Sequence, residues 1–359
     1  MTKTKIPIWL DCDPGHDDAI AVLLGCFHPA FDILGISACY GNSSPENTYR
    51  NARSLLTAIG KAKDVPVYQG AQRPWKREPV YAPDIHGASG LDGTTLLPEP
   101  VGEILTQSYL DAVEEAVMAT DGELAFISTG AVTSIATILK KRPHLKKHIR
   151  YISIMGGGLD VGNINVNKSA EFNIWVDPDA ANSLFADPEI NYKCILTPLD
   201  LTHKAIASQE VMKEIQGSSG SNLRKMFYDL FQFFSKSYKN AQGFETGPPV
   251  HDPITLIPLL ELYGWETEPD IRFIYKRYDI EVLTDELSSD LGKLTVENEF
   301  AMDENKGIIV GVDLNFQYFW KQVYYVLEQA EKLSTIEVNL NSEVVESAIL
   351  DETNINEVM

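Results

Sequence analysis

Four aspartates lie within eight residues near the start of the chain, in Asp11-Cys12-Asp13-Pro14-Gly15-His16-Asp17-Asp18. Carboxylates this close repel one another, and a hard divalent cation coordinated through oxygen is the simplest way to neutralise them. Helix capping accounts for one or two acids at a helix start, but not for four. An EF-hand is excluded, because position twelve counted from Asp11 is Val22 and not the bidentate glutamate of that loop. The cluster therefore predicts a metal site.

The elements on either side place this cluster at the carboxyl end of a strand. Residues 6–10 form an apolar run with β-branched and aromatic side chains, which is typical of a buried strand. Asp13 and Pro14 then fit the N-cap and first position of a helix, which the apolar run 19–24 continues. Open α/β sheets usually build their sites at this edge.

Strand-like and helical segments alternate along the chain, and this alternation predicts the fold class. Further strand-like runs lie at residues 123–130, 150–155 and 194–199. We expect an α/β fold: a single domain over residues 1–335, with a central, mainly parallel sheet flanked by helices. Segments 72–105 and 204–248 read as irregular or helical and are candidate lids over the sheet.

Composition bounds the class of protein. The chain has 359 residues, of which 44% are hydrophobic and 23% charged, as in soluble globular proteins. A net charge of −21 argues against nucleic-acid binding. No apolar run approaches the roughly 20 residues of a membrane span, and no signal peptide is readable. The four cysteines show no disulfide framework. We expect a cytoplasmic protein, with the nucleus as an alternative, that binds neither nucleic acid nor membrane.

The C-terminal segment differs in composition from the rest of the chain. Residues 337–359 carry six acidic side chains and no lysine or arginine. Residues 336–359 are therefore expected to form a disordered acidic tail.

The Asp-Pro pair recurs at Asp177-Pro178 and at Asp252-Pro253, each time before a helical pattern. Such a pair usually marks a capped helix and nothing more. The last one differs because His251 precedes Asp252, which places an imidazole that titrates near neutral pH next to a possible metal ligand.

With these motifs in place, the chain resembles the nucleoside hydrolases, the inosine–uridine-preferring N-ribohydrolases, over about residues 5–335. The resemblance rests on DCDPGHDDAIA at 11–21, YGN at 40–42, DIHGASGLDG at 84–93, STG at 128–130, AEFNIWVDPDAA at 170–181 and VHDP at 250–253. Within the family, the chain is most similar to the fungal uridine nucleosidases.

The resemblance implies an enzyme of nucleoside salvage that hydrolyses the N-glycosidic bond of ribonucleosides to ribose and free base. Uridine is the expected substrate, and cytidine, inosine and nicotinamide riboside are alternatives. A homodimer or homotetramer is expected as well.

The resemblance also implies one Ca²⁺, held by Asp13, Asp18, Asp252 and the backbone carbonyl of Thr129. A shell of six to eight hard oxygens suits calcium. Asp13 would in addition take a proton from the attacking water.

Asn42, Asn165, Glu171 and Asn173 match the positions that hold the ribose, and Asp17 would reach its 2′-hydroxyl. Amides both donate and accept hydrogen bonds, so they suit a diol. The carboxylate of Glu171 would favour a ribose that gains positive charge in the transition state. Asn163 is an alternative to Asn165, and the six-residue spacing to Glu171 favours Asn165.

His251 is the expected general acid for the leaving base, because an unperturbed imidazole titrates near neutral pH. His86 is expected to contact the base or the ribose, and Phe172 to pack near the base. His16 is either a helix-start residue or a further contact in the site.

Three other functions remain open. A metal-dependent phosphohydrolase would use Asp11 as its nucleophile and magnesium as its metal, and would need a downstream lysine and a second acidic pair. A non-catalytic nucleoside sensor would have lost a ligand or the acid, and all of these positions are present. A ribosyltransferase would differ only in its acceptor, and hydrolysis is favoured because the metal binds water.

Overall fold

Nine strands form one sheet within residues 3–266 and 270–336, the part of the chain that this computed structural model describes. The strands are β1 (Ile6–Cys12), β2 (Phe31–Ala38), β3 (Val67–Gln69), β4 (Leu124–Ser128), β5 (Ile149–Met155), β6 (Cys194–Thr197), β7 (Ile274–Val282), β8 (Leu294–Phe300) and β9 (Ile308–Asp313). Their order across the sheet is β3-β2-β1-β4-β5-β6-β9-β7-β8. Strands β1–β6 and β9 pair in parallel, whereas β7 is antiparallel to both β8 and β9. The predicted α/β fold with a mainly parallel sheet is confirmed.

Helices cover both faces of the sheet. They are α1 (Asp18–Phe27), α2 (Pro45–Ala58), α3 (Pro83–His86), α4 (Tyr109–Ala119), α5 (Thr133–Lys141), α6 (Phe172–Val176), α7 (Pro178–Phe185), α8 (Leu199–Thr202), α9 (Gln209–Gln216), α10 (Asn222–Gln242), α11 (Ile257–Leu262) and α12 (Phe316–Glu331). Short 3₁₀ helices span Pro143–His148, Asn191–Lys193 and Asp252–Leu256. In the described ranges, none of the helices is long and apolar enough to cross a bilayer.

Strand β1 determines where the site lies. Alternate side chains of β1 enter different hydrophobic clusters: Ile8 and Leu10 pack on one face of the sheet and Trp9 on the other. Both neighbours of β1, β2 and β4, run parallel to it. The chain order of the strands therefore reverses at β1, and the crevice outside the carboxyl ends of β1 and β4 is where such sheets bind ligands.

The predicted helix start at Asp13 and Pro14 is wrong. Helix α1 begins at Asp18, and Asp17 at its N-cap position makes no side-chain capping hydrogen bond. By contrast, the carboxylate of Asp177 does cap α7, because it accepts from the backbone N–H of Ala180 at 3.2 Å. The aspartates after β1 are thus not used as helix caps, and their carboxylates are available to a site.

The described chain ends beside helix α2. The hydroxyl of Ser334 donates to the carbonyl of Ala58 at 2.9 Å, and Ile336, the first residue of the predicted tail, packs against the hydrophobic core. The predicted disordered tail otherwise lies outside the described residues.

Candidate active site

A pocket of about 250 Å³ opens at the carboxyl ends of the central strands. Its floor includes Asp17, Thr129 and Asp252, and its outer walls come from residues 80–86 and from the end of α10. Both segments that the sequence marked as candidate lids, 72–105 and 204–248, therefore contribute a wall. Among the described residues that line this pocket, none is a lysine or an arginine.

Three carboxylates of the predicted cluster come together at the floor. Asp17, Asp18 and Asp252 each present an oxygen, and these oxygens lie within 4.8 Å of one another. The predicted metal ligands were Asp13, Asp18 and Asp252, so the geometry adds Asp17 to this group. Asp13 lies directly beside it, because the same side-chain amide of Asn42 donates to the backbone oxygen of Asp13 at 3.2 Å and to Oδ2 of Asp18 at 3.0 Å.

Burial and mutual repulsion make this cluster costly without a cation. Burial, followed by the charge of Asp18, raises the pKa of Asp13 well above its usual range. Burial, followed by the charges of Asp17 and Asp18, does the same to the pKa of Asp252. The pKa of Asp17 rises to about 7 for the same reasons. A nearby positive charge would reverse these shifts.

The candidate ligand atoms of this cluster fit a hard divalent cation. Oδ1 of Asp13 is buried and has no hydrogen-bond partner in the described part of the chain. Glycines 41 and 130 pack against this carboxyl group, and a Cβ at either position would overlap it. Thr129 adds a carbonyl, which already accepts from Nδ2 of Asn173 at 2.9 Å, so every candidate ligand is an oxygen. Oxygen ligands of this kind suit calcium or magnesium.

Two amide side chains face the floor with their acceptor oxygens free. The Nδ2 groups of Asn42 and Asn173 are used by Asp13, Asp18 and the Thr129 carbonyl. Their Oδ1 atoms have no hydrogen-bond partner among the residues described, and both side chains line the pocket. These oxygens can accept hydrogen bonds from hydroxyl groups.

Glu171 is held rigidly beside these amides. It is the N-cap of α6 and accepts from the backbone N–H groups of Asn173, Gly157 and Ile174 at 2.9, 2.9 and 3.2 Å. Burial raises its pKa to about 7, although these three donors favour the charged form. The carboxylate is therefore preorganised to meet a developing positive charge.

The geometry favours Asn163 over Asn165 as the amide in the loop before α6. Asn163 lines the pocket, and its Oδ1 accepts from the backbone N–H of Phe172 at 3.0 Å. Asn165 has a left-handed backbone with φ of 64° and uses its side chain within its own loop, donating to Ser169 and accepting from the N–H of Asn167. In this structure Asn163 and not Asn165 lines the pocket, because this turn directs the amide of Asn165 into the loop.

His251 lies at the pocket between two hydroxyl groups. Its Nδ1 is 2.7 Å from Oγ1 of Thr202, and its Nε2 is 2.8 Å from the hydroxyl of Tyr238. Burial, and secondarily His203, lowers the pKa of His251 well below its usual range, so the ring is neutral. Tyr238 lines the pocket and was missed by the sequence analysis. Its only signal in the sequence is helical spacing, since Phe234, Tyr238 and Gln242 follow one face of α10.

His86 and Phe172 also line the pocket, as expected. Asp11 does not: it is fully buried, accepts a hydrogen bond from the hydroxyl of Ser37, and burial raises its pKa to about 7. Asp11 is not among the residues that line the pocket, so this geometry gives no support to a phosphohydrolase with Asp11 as nucleophile.

Comparisons with known proteins point to one enzyme family. The sequence pattern described as "Inosine-uridine preferring nucleoside hydrolase" matches residues 8–321. The chain is 60% identical to a uridine nucleosidase of Saccharomyces cerevisiae over 94% of its own length and 100% of that protein. It is 36% identical to a pyrimidine-specific ribonucleoside hydrolase of Citrobacter koseri over 71% of this chain and 80% of that protein.

Solved structures support the same assignment. A purine-preferring ribonucleoside hydrolase from Gardnerella vaginalis superposes with a TM-score of 0.79 at 25% identity, covering 91% of this chain and 100% of that one. The sequence match, the fold and the acidic pocket agree, and the chain belongs to the inosine-uridine preferring nucleoside hydrolase family of N-glycosyl hydrolases.

Proposed function

We propose that this enzyme hydrolyses uridine to ribose and uracil in nucleoside salvage, with cytidine, inosine and nicotinamide riboside as further candidate substrates. The 60% identity to a yeast uridine nucleosidase, over the whole of that protein, supports uridine. The observation that carries the proposal is the pairing of a buried acidic cluster with free acceptor oxygens on Asn42 and Asn173. A sugar that carries adjacent hydroxyl groups satisfies both.

Asp13, Asp18 and Asp252, with the carbonyl of Thr129, would hold Ca²⁺, and Asp17 is a further ligand or a partner of the 2′-hydroxyl. Bound there, the cation would neutralise the carboxylates and supply a Lewis acid for water and hydroxyl groups. Oδ1 of Asp13, which has no partner in the described chain, is free to accept the proton of the attacking water.

Residues beside the acidic cluster would stabilise the ribose as the glycosidic bond breaks. Asn42, Asn163 and Asn173 would bind its hydroxyl groups. Glu171, fixed by three backbone donors, would interact more strongly with the sugar ring as positive charge develops on it. Phe172 and His86 complete the pocket around the nucleoside.

Departure of the base requires a proton donor or a stabilised anion. If the hydroxyl of Thr202 donates to Nδ1 of His251, then Nε2 carries the hydrogen and donates to Tyr238, whose own hydroxyl hydrogen points elsewhere. In this arrangement Tyr238 would give its hydroxyl proton to the base, and the Nε2–H of His251 would stabilise the tyrosinate by a hydrogen bond, while the proton that Asp13 accepts from the water balances the reaction. His251 thus contributes to the expected acid catalysis through Tyr238.

A panel of ribonucleosides tests the proposal directly. Release of ribose from uridine, cytidine, inosine and nicotinamide riboside is measured after exhaustive chelation and again after addition of Ca²⁺ or Mg²⁺. We expect hydrolysis of uridine that chelation abolishes and Ca²⁺ restores. Full activity in the chelated enzyme would contradict the metal site, and absence of ribose release from every nucleoside would contradict the reaction.

We also propose a homodimer or homotetramer in the cytoplasm, with the nucleus as an alternative location. The support is the family and the acidic, globular composition of the chain. Analytical ultracentrifugation would test the oligomer, and a tagged chain in living cells would test the location.

A further inference from the structure

His16, from the first acidic motif, is fully buried behind the pocket. Its ring is stacked between Phe233 and Phe234, with centroids 5.3 and 5.1 Å away and ring planes within 5° of parallel. Its ring nitrogens face a backbone oxygen and another imidazole, not a carboxylate. Full burial without a carboxylate partner favours the neutral ring, which carries one N–H.

The contacts of His16 decide which of its nitrogens carries that hydrogen. Nε2 lies 2.8 Å from the backbone oxygen of Asp92, and a carbonyl oxygen can only accept. Nε2 therefore donates, and Nδ1 of His16 is bare.

The same reasoning extends to His86. Nδ1 of His16 lies 3.1 Å from Nδ1 of His86, and two bare nitrogens at this distance would repel each other. Nδ1 of His86 must then carry a hydrogen and donate it to His16. The backbone N–H of His16 also points at this nitrogen, but at 3.4 Å it is the weaker contact. His86 is neutral as well, because burial lowers its pKa well below the usual range, so its Nε2 is bare.

The hydrogen bonds of the His86 ring within the described chain are made by Nδ1, which leaves Nε2 without a partner there, and His86 lines the pocket. We propose that His16 is a positioning residue that fixes the tautomer of His86, and that His86 accepts a hydrogen bond from a donor group of the nucleoside, its 5′-hydroxyl or its base N–H. The second half of this inference rests on the proposed function. In this tautomer, Nε2 of His86 cannot supply a proton to the leaving base.

Gly15 allows the two rings to meet. A Cβ at Gly15 would overlap Nδ1 of His86 and lie 2.7 Å from Nδ2 of Asn42. The glycine of the first motif thus serves the close approach of His86 to the backbone.

¹⁵N NMR of histidine-labelled enzyme tests the tautomer, because ring nitrogens with and without hydrogen have different shifts. The His86 signals are assigned by their loss in His86→Asn. We expect Nδ1–H with bare Nε2 in the wild type and in His16→Gln, whose amide can donate to Asp92 and accept from His86. His16→Phe keeps the stacking without the hydrogen bonds, and we expect both tautomers there.

A protonated Nε2 in the wild type would overturn the inference, and this spectrum needs no variant to fold. An unchanged His86 pattern in His16→Phe would show that His16 does not fix the tautomer. His16→Leu serves as a second variant without hydrogen bonds if His16→Phe is unstable.

Kinetics with three substrates test the acceptor role and identify the donor. For uridine, His86→Phe should lower kcat/KM by about twofold to tenfold, the range for one neutral hydrogen bond. If the donor is the 5′-hydroxyl, 5′-deoxyuridine should show no such loss, and if it is the base N–H, 3-methyluridine should show none. Equal losses for all three would overturn the acceptor role, whereas no hydrolysis of uridine by the wild type would instead refute the proposed function.

Discussion

The backbone N–H of Asn42 donates to Oδ2 of Asp13 at 2.7 Å, while Oδ1 of the same carboxyl is buried with no partner in the described chain. One oxygen thus fixes the orientation of the group and the other is left for chemistry. An unsatisfied buried acceptor costs about 1–3 kcal/mol, and more when it is charged. The structure tolerates this cost at the centre of an acidic cluster, which is where a cation and a water molecule would satisfy it.

Asp18→Ala should abolish tight Ca²⁺ binding together with activity. Loss of a group that only orients a metal ligand already costs about 10–100-fold in affinity, so removing a carboxylate ligand should cost at least about a hundredfold. Isothermal titration calorimetry with Ca²⁺ measures the affinity, and Asp32→Ala, at an exposed acid of β2, is the matched control. Unchanged calcium binding by Asp18→Ala would remove this residue from the site.

Glu171→Gln should change the pH dependence of stability in the metal-free enzyme. The folded state binds a proton on Glu171 with a pKa raised from 4.5 to about 7, so stability falls as pH rises through that range. The glutamine variant lacks this loss and should be the more stable protein at pH 8, by up to about 3 kcal/mol. At pH 4 the two should be similarly stable.

Urea denaturation at several pH values measures this difference. In Glu171→Gln, kcat should fall by a larger factor than KM rises, because the charge of Glu171 acts on the transition state. An effect confined to KM would indicate ordinary binding of the substrate.

Sequence periodicity was enough to predict the parallel sheet and the edge at which the site lies. Strands and helices alternate with distinct hydrophobic patterns, and the acids that follow β1 therefore lie together at its carboxyl end. The predicted start of α1 is wrong by several residues. Asp13 and Pro14 are typical of a helix N-terminus, but the carboxyl of Asp13 accepts a hydrogen bond from Asn42 instead.

Side-chain direction was the part that sequence could not supply. Asn163 and Asn165 are both plausible in a loop, and only the left-handed turn at Asn165 separates them. Tyr238 belongs to no motif. Its role depends on the packing of α10, which brings its hydroxyl to His251, 13 residues further along the chain. Contacts of this kind depend on tertiary packing, which no local pattern encodes.

Asn163→Ala and Asn165→Gly form a matched pair that separates substrate binding from loop structure. Asn163→Ala should lower kcat/KM for uridine by about tenfold, the scale of one hydrogen bond in the site, with little effect on melting temperature. Asn165→Gly keeps the left-handed backbone free of strain and removes only the loop hydrogen bonds. It should affect stability more than catalysis, and the opposite pattern would restore Asn165 as the ribose contact.

His251→Ala and Tyr238→Phe should both reduce hydrolysis of inosine more than that of uridine. A purine can be protonated at N7, so its departure gains directly from a proton that Tyr238 delivers while His251 stabilises the tyrosinate. A pyrimidine lacks that nitrogen and leaves through O2 or as an anion, so for uridine the pair mainly orients the base. Steady-state kinetics on both nucleosides should show a loss for inosine of about a hundredfold or more.

Because the two side chains act as one unit through a 2.8 Å contact, the double variant should be little worse than either single variant on inosine. Equal losses on both nucleosides would mean one shared role for His251, and fully additive losses would mean that Tyr238 acts independently of it.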